Sequence, residues 1–324
     1  MYLVLLFIIS FCSILESAYD ADFAFNAYKA TAATYSDNNE DLINKCLSDS
    51  FGKHNNLHHS SFNCYNSDDS CTGVFAVFPE TNTTLITFRG TKNLMSYINQ
   101  GTLAYNFELY DSNNINYGFV EKYYKKAAED VFQKFVQDNV ANSPPTQNYI
   151  VAGHSLGGAL AVLTALKISI TGTAKPENIQ VVTFGQPRIG DFQFASFVQG
   201  HLPNLNRLVH YKDVIPHFPA CVKGKTDSDC LQESQKPFHH TQEIFYNSDK
   251  DNGKYQICDS SFGEDPTCSD NLSVLQNIEG FFNDYHNTYF NVNIEKLGKR
   301  GCQNAASRSL PFLIFILVIF KFFF

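Results

Sequence analysis

Basic side chains are in short supply: 24 Lys and Arg stand against 32 Asp and Glu in 324 residues, a formal net charge of −8. That balance offers no basic face of the kind nucleic acid requires. A neutral lipid surface is not excluded, because burying apolar area needs no positive charge. No CxxC pair and no His-rich cluster is present, which leaves zinc frameworks without support. Internal repeats, heptad runs and low-complexity tracts are also missing, so the chain reads as one domain of catalytic size. Tryptophan is absent altogether. Charged residues make up only 17% and hydrophobic ones 44%, which argues against general disorder and for a sizeable core.

Both ends carry processing signals. "MYLVLLFIISFCSILESA" is a short apolar run closed by Ser17 and Ala18, and predicts a secretory signal peptide over residues 1–18. A buried first helix is the weaker reading, since Tyr2 to Ile9 lacks polar residues at helical spacing. The domain then runs over 19–303, followed by a hydrophobic tail over 304–324. Leu310 to Phe324 is apolar except for Lys321 and falls short of the ~20 residues that span a bilayer comfortably. Small residues at Asn304–Ser307 suit lipid-anchor attachment, although Arg308 and Ser309 form a spacer shorter than the usual ~8–12 residues. A membrane-inserted tail and a tail packed on the domain are the alternatives. Membrane association at the cell surface is the expectation favoured here.

Cysteine usage agrees with export. Of nine cysteines, Cys12 would leave with the signal, and the even remainder reads as disulfides in an oxidising compartment. Short loops make Cys64–Cys71, Cys221–Cys230 and Cys258–Cys268 natural local pairs. Cys46 and Cys302 remain, and would join the two ends of the domain. Spacing does not settle the matter, since eight cysteines allow on the order of a hundred connectivities. Asn82 in "NTT" and Asn271 in "NLS" are candidate glycan acceptors.

Along the domain, strand and helix patterns alternate. "GVFAVF" (Gly73–Phe78) and "TLITF" (Thr84–Phe88) predict strands around a turn at "PETN". From Phe119 to Val136 apolar residues recur at helical spacing, which predicts a helix over "GFVEKYYKKAAEDVFQKFVQDN". "YIVAG" predicts a strand, "LGGALAVLTALKI" a helix, and "IQVVTFG", "RLVHY" and "TQEIFY" further strands. Such alternation favours a mostly parallel sheet with helices on both faces, an α/β class.

Gly153-His154-Ser155-Leu156-Gly157 falls between a predicted strand and a predicted helix. A GxSxG pentapeptide arises by chance on the order of once in ten chains of this length. The strand-to-helix context makes coincidence much less credible. A tight turn there lifts the serine Oγ clear of the sheet, with glycines where a Cβ would collide. The helix N-terminus adds positive dipole where an oxyanion develops. A serine nucleophile needs a histidine base oriented by a carboxylate, in chain order Ser, Asp or Glu, His. Asp213 follows "RLVHY" directly and precedes Pro216 and Pro219. Asp191 is the competing acid, with a helix-capping role over "FQFASFVQ" as its plainer reading. Among the histidines, His217 lies too close to Asp213, and His239 and His240 precede a strand. His286, in "DYHNTYF", comes after the final strand, where a base is expected.

Taken together, "TLITFRGT", "VAGHSLGGALA", "VVTFGQPRIGD", "HYKDVIPHFP" and "HNTYF", in that order, resemble the class 3 lipases, the family of the filamentous-fungal triacylglycerol lipases. The resemblance spans roughly Ala30 to Cys302 and implies an α/β-hydrolase fold. It implies Ser155 as nucleophile, Asp213 as acid and His286 as base. It implies an oxyanion hole from Thr91, in "FRGT", and the backbone N–H of Leu156. The Cys46–Cys302 bridge also fits the family's pattern. One departure is that fungal members often carry tryptophan in the lid. Here "NLMSYINQ" stands in that place, with Leu94, Met95, Tyr97 and Ile98 as its apolar residues. It reads either as an amphipathic lid that opens at a lipid surface or as a fixed surface helix.

The sequence and this resemblance therefore predict an exported serine acyl hydrolase, a triacylglycerol lipase that cleaves carboxylic esters through an acyl-enzyme at a lipid–water interface. Its chemistry calls for no cofactor and no metal. Feruloyl esterase or phospholipase activity on the same fold is the alternative, and a catalytically silent secreted binding protein is the reading from another class.

Overall fold

The computed structural model describes residues 19–63, 70–91, 106–112, 115–224, 230–251, 253–259, 261, 263–271 and 284–303. The expected signal peptide, the lid segment with Leu94, Met95, Tyr97 and Ile98, the C-terminal tail and Cys64 lie outside these residues.

Eight strands form the central sheet: β1 (Asn55–Asn63), β2 (Ser70–Phe78), β3 (Thr83–Phe88), β6 (Asn148–His154), β7 (Ile179–Phe184), β8 (Asn204–His210), β9 (Glu243–Tyr246) and β10 (Gln256–Ile257). They lie side by side in that order. Neighbours from β3 through β9 run parallel, while β1, β2 and β10 add antiparallel edges. Parallel strands need crossovers that cover the sheet, which is why both faces are apolar here. On one face Phe75, Val77, Ile86 and Phe88 pack with α3 (Lys122–Val131), α5 (Leu156–Ile170) and α6 (Phe192–His201). On the other, Val74, Ala76, Phe78 and Leu85 pack with α1 (Ala21–Ala32), α2 (Glu40–Phe51) and α7 (Ile294–Lys299). The alternation along β2 and β3 is the period-2 pattern of strands buried on both sides. Helix α5 is buried on nearly every side, as its all-round apolar sequence requires.

Strand ranges follow the sequence expectation closely, including the β2–β3 turn, where Pro79–Thr81 winds one short turn and Asn82 takes the left-handed conformation. The long predicted helix does not begin where its apolar stripe begins. Phe119 and Val120 belong to β5 (Ile115–Glu121), paired with Leu109 and Glu108 of β4 (Phe107–Ser112). Glu121 ends the strand and caps α3 by accepting from the Tyr124 N–H. A π-turn at Phe132–Val136 then separates α3 from α4 (Gln137–Asn142). It advances the helix phase so that Phe135 and Val136 rejoin the buried stripe.

Three of the four expected disulfides fall within the described residues: Cys46–Cys302, Cys221–Cys230 and Cys258–Cys268. Cys71 is buried in β2 and disulfide-bonded, its expected partner Cys64 being outside the description. Asn82 is exposed at its turn, and Asn271 ends a short turn at Ser269–Asn271. Among the described residues no helix is long and apolar enough to cross a membrane.

Candidate active site

The turn between β6 and α5 is as tight as the pentapeptide requires. Ser155 sits at φ 58°, ψ −128°, a conformation that costs a non-glycine residue energy and persists only where neighbours enforce it. Here its N–H is held by the Phe184 carbonyl at 2.8 Å. A Cβ at position 153 would lie 2.0 Å from the Gly157 carbonyl oxygen, and one at 157 would lie 2.4 Å from that of Phe88. Both glycines are therefore demanded by close backbone approach. Ser155 Oγ is buried and has no hydrogen-bond partner among the described residues.

Strand β8 delivers Asp213. Asp213 is fully buried two residues beyond Tyr211, which takes a positive φ as the chain leaves the strand. His286 Nδ1 lies 3.0 Å from both Asp213 carboxylate oxygens. The Tyr289 hydroxyl donates to Oδ2 at 2.8 Å and the Ile215 N–H to Oδ1 at 3.0 Å. Burial works to raise the Asp213 pKa, but the His286 charge, its hydrogen bond and these two donors outweigh it and hold the carboxyl below its usual range. The carboxylate therefore stays ionised and fixes His286 with Nδ1–H toward it. His286 Nε2 is left buried and without a partner among the described residues. Gly185, at the end of β7, lies so close to this pair that a side chain there would strike it.

Ser155 thus stands buried at the elbow, and His286 is paired with a buried, ionised Asp213. The family described as Lipase (class 3) matches residues 85–223. A lipase of Caenorhabditis elegans is 33% identical over 255 residues, covering 72% of this chain and 68% of its own. This chain belongs to the class 3 lipases. A Rhizopus niveus lipase is 29% identical over 215 residues, which cover 65% of this chain and 48%, about half, of that protein. The solved Rhizomucor miehei triacylglyceride lipase superposes with a TM-score of 0.62 at 23% identity, covering 84% of this chain and 94% of that one. That likeness establishes the α/β-hydrolase fold. By family membership this class 3 lipase is an ester hydrolase.

The remaining residues singled out in the sequence of this class 3 lipase divide clearly. Leu156 is the buried first residue of α5, where backbone N–H groups have no intrahelical acceptor. Thr91 is partly buried just beyond β3, next to Gly90, whose Cβ position lies 2.7 Å from Ser155 Cβ. Asp191 caps α6 through the Phe194 N–H and also accepts from the Phe119 and Gln235 N–H groups. His239 is hydrogen-bonded to the Pro216 carbonyl and His240 to Gln186. Burial, with the positive charge of Arg188 second, pushes the His217 pKa down to about 4. None of these three histidines hydrogen-bonds Asp213. Sequence reasoning missed Tyr289, which braces Asp213, and Tyr35 with His154, which lie against Ser155 and His286. Tyr289 stands three residues after His286 in the quoted "HNTYF" and was within reach. Tyr35 carried no signal.

Proposed function

We propose that this protein is an exported triacylglycerol lipase working through an acyl-enzyme. The observation that carries the reading is the Asp213–His286 pair, held at 3.0 Å beside a serine kept in the strained elbow geometry. In this scheme Ser155 Oγ attacks the ester carbonyl carbon and its proton passes to His286 Nε2. Asp213 keeps the ring oriented and stabilises the imidazolium. The carbonyl oxygen gains the charge and is held by the N–H groups of Leu156 and Thr91. His286 returns the proton to the departing alkoxide, and water repeats the sequence to release the fatty acid and restore Ser155.

Triacylglycerol is the substrate favoured by the name of the Rhizomucor miehei relative. Export is supported by the disulfides, which form in oxidising compartments. The "NLMSYINQ" segment (93–100) acting as an interfacial lid, and cell-surface attachment through 304–324, rest on the sequence alone.

A fluorophosphonate probe tests the chemistry. The wild type should label at Ser155, and Ser155→Ala should neither label nor turn over ester. Initial rates on emulsified triglyceride, phospholipid vesicles and soluble aryl esters then rank the substrates. A wild-type protein that does not label would overturn the hydrolytic reading in favour of a binding protein. Phospholipid hydrolysis exceeding that of triglyceride would overturn the substrate assignment alone.

A further inference from the structure

Three hydrogen bonds form one buried line across the site. The Gly90 N–H donates to Tyr35 Oη at 3.1 Å. Tyr35 Oη lies 2.6 Å from His154 Nδ1, and His154 Nε2 lies 2.8 Å from the His286 carbonyl oxygen. Chemistry fixes the direction of the two outer bonds. A backbone N–H can only donate and a carbonyl can only accept, so His154 carries its proton on Nε2. In a neutral ring Nδ1 is then an acceptor, and the Tyr35 hydroxyl donates to it. With the imidazole neutral, a single proton arrangement satisfies the line. Burial, followed by the charge of the neighbouring His286, pushes the His154 pKa down to about 3, so the ring stays neutral.

Each group that the line reaches adjoins a group assigned above. Gly90 precedes Thr91, His154 precedes Ser155, and the last acceptor is the carbonyl of His286 itself. The His154 and His286 rings lie 4.6 Å apart, centroid to centroid. These residues arrive from three separate chain segments: the end of β3, the end of β6 and the turn before β11 (Thr288–Tyr289). No other hydrogen bond described above joins all three. Tyr35 comes from a fourth segment, the short turn Ala33–Tyr35 after α1. That turn is clamped: a Cβ on Gly298 of α7 would lie 2.0 Å from the Ala32 carbonyl oxygen and 3.0 Å from Tyr35 Cβ, and Ser36 Oγ donates to the Gly298 carbonyl. Cys46–Cys302 ties the same two parts of the chain together.

We infer that Tyr35 and His154 are positioning residues that hold the oxyanion loop, the nucleophile and the base in register with one another. The inference rests on the roles proposed above for Thr91, Ser155 and His286. Removing the Tyr35 hydroxyl leaves the Gly90 N–H and His154 Nδ1 without partners and frees the oxyanion loop to move against the serine. Misplacement on the ångström scale costs about 10²-fold in rate, so Tyr35→Phe should lower kcat on a soluble ester by about 10–100-fold. KM should stay within about twofold of the wild type, since binding of the acyl chain is untouched.

The experiment compares Tyr35→Phe with Tyr19→Phe, which removes another buried hydroxyl, one bonded to Tyr246 and remote from the line. Turnover is expressed per site titrated with fluorophosphonate, and the inhibition constant of an alkyl boronic acid reports binding of a tetrahedral adduct. For Tyr35→Phe the boronic acid should weaken in proportion to the loss of kcat/KM, whereas Tyr19→Phe should change neither. Per-site kcat and boronic acid affinity within about twofold of wild type would reduce the line to a structural role. If Tyr35→Phe does not fold, imidazole ¹⁵N spectra of the wild type decide. His154 should remain the neutral Nε2–H tautomer from pH 8 to 5, and an Nδ1–H tautomer or a titration near pH 6.5 overturns the inference. Absence of labelling in the wild type sinks the hydrolase reading itself; a labelled wild type with an unimpaired Tyr35→Phe sinks only the positioning role.

Discussion

Gly185→Ala separates backbone cost from site geometry, because the structure supplies its own control. Gly185 and Gly172 both sit in the left-handed region, at φ +61° and +73°. An alanine at either place pays a conformational cost of about 1 kcal/mol. For a domain of this size that lowers Tm by about 2–4 °C. At Gly172 the new methyl meets nothing within 4 Å. At Gly185 it would lie 2.7 Å from Asp213 Oδ2 and 2.8 Å from His286 Nδ1 and Cε1. Ordinary contact begins at 3.4 Å, so the aspartate and histidine must each yield by roughly 0.6 Å. They are the two groups least able to yield, since Asp213 is also held by Tyr289 and Ile215. Displacement of that order at a reacting group costs about 10²-fold, and complete loss of the aspartate's orienting role costs about 10⁴-fold. Gly185→Ala should therefore reduce kcat on a soluble aryl ester by about 10²–10³-fold while melting only a few degrees below Gly172→Ala. Gly172→Ala should keep wild-type kcat. Turnover per intact molecule, with thermal melts of both variants, makes the comparison. A Gly185→Ala enzyme within about threefold of Gly172→Ala would refute the reasoning, because the methyl would then have been absorbed without moving the pair.

Removing Cys46–Cys302 as a paired alanine variant should destabilise most among the three described bridges, by about 5 kcal/mol in the chain-entropy account, read from urea midpoints against single-bridge variants at Cys221–Cys230 and Cys258–Cys268. Glu121 is raised by burial to about 7, so the folded state holds its proton where the unfolded chain has released it; that part of the stability is complete below about pH 4 and is lost as pH rises through 7. Glu121→Gln, which can still accept the Tyr124 N–H, should therefore gain up to about 3 kcal/mol at pH 8 and nothing at pH 4, measured by denaturant titration at both values. His217 and His240 are held neutral, with burial the main cause of pKa values lowered to about 4 and about 3. The unfolded chain binds those protons below about pH 6.5, so urea midpoints should fall between pH 6.5 and 4, and His217→Gln should make that fall shallower.

Much of this architecture could be read from residues whose local pattern and tertiary role agree. Strands buried on both faces announce themselves by apolar runs, and "VFAVF" in β2, "YIVA" in β6 and "VV" in β7 did so. Gly153 and Gly157 flag the elbow because only glycine tolerates the backbone contacts found there. Two segments misled for identifiable reasons. Phe119 and Val120 continue a helical stripe numerically, but pairing with β4 claims them for a strand, and the helix starts only at the Glu121 cap. The polar edge strand β1, "NNLHHSSFN", has no apolar alternation and is a strand because β2 offers it a ladder. The Tyr35–His154 contact joins residues 119 positions apart. Nothing in either local sequence encodes it, since only the packing of α1 and α7 brings that hydroxyl beneath the elbow.

The polarity of the sheet carries a practical consequence. Gly90, Ser155, Gly185 and Asp213 all follow the last residues of parallel strands, so the proposed reacting groups crowd one rim. At the opposite rim lie the entries to β6 and β7 and the exposed Pro79–Asn82 turn, which contributes no side chain to the proposed site. A support-coupling handle grafted at Asn82 would present the enzyme to an oil droplet with its reactive rim facing outward. The same handle at either end of the described chain would be tied instead to the α1–α7 face, where Cys46 meets Cys302.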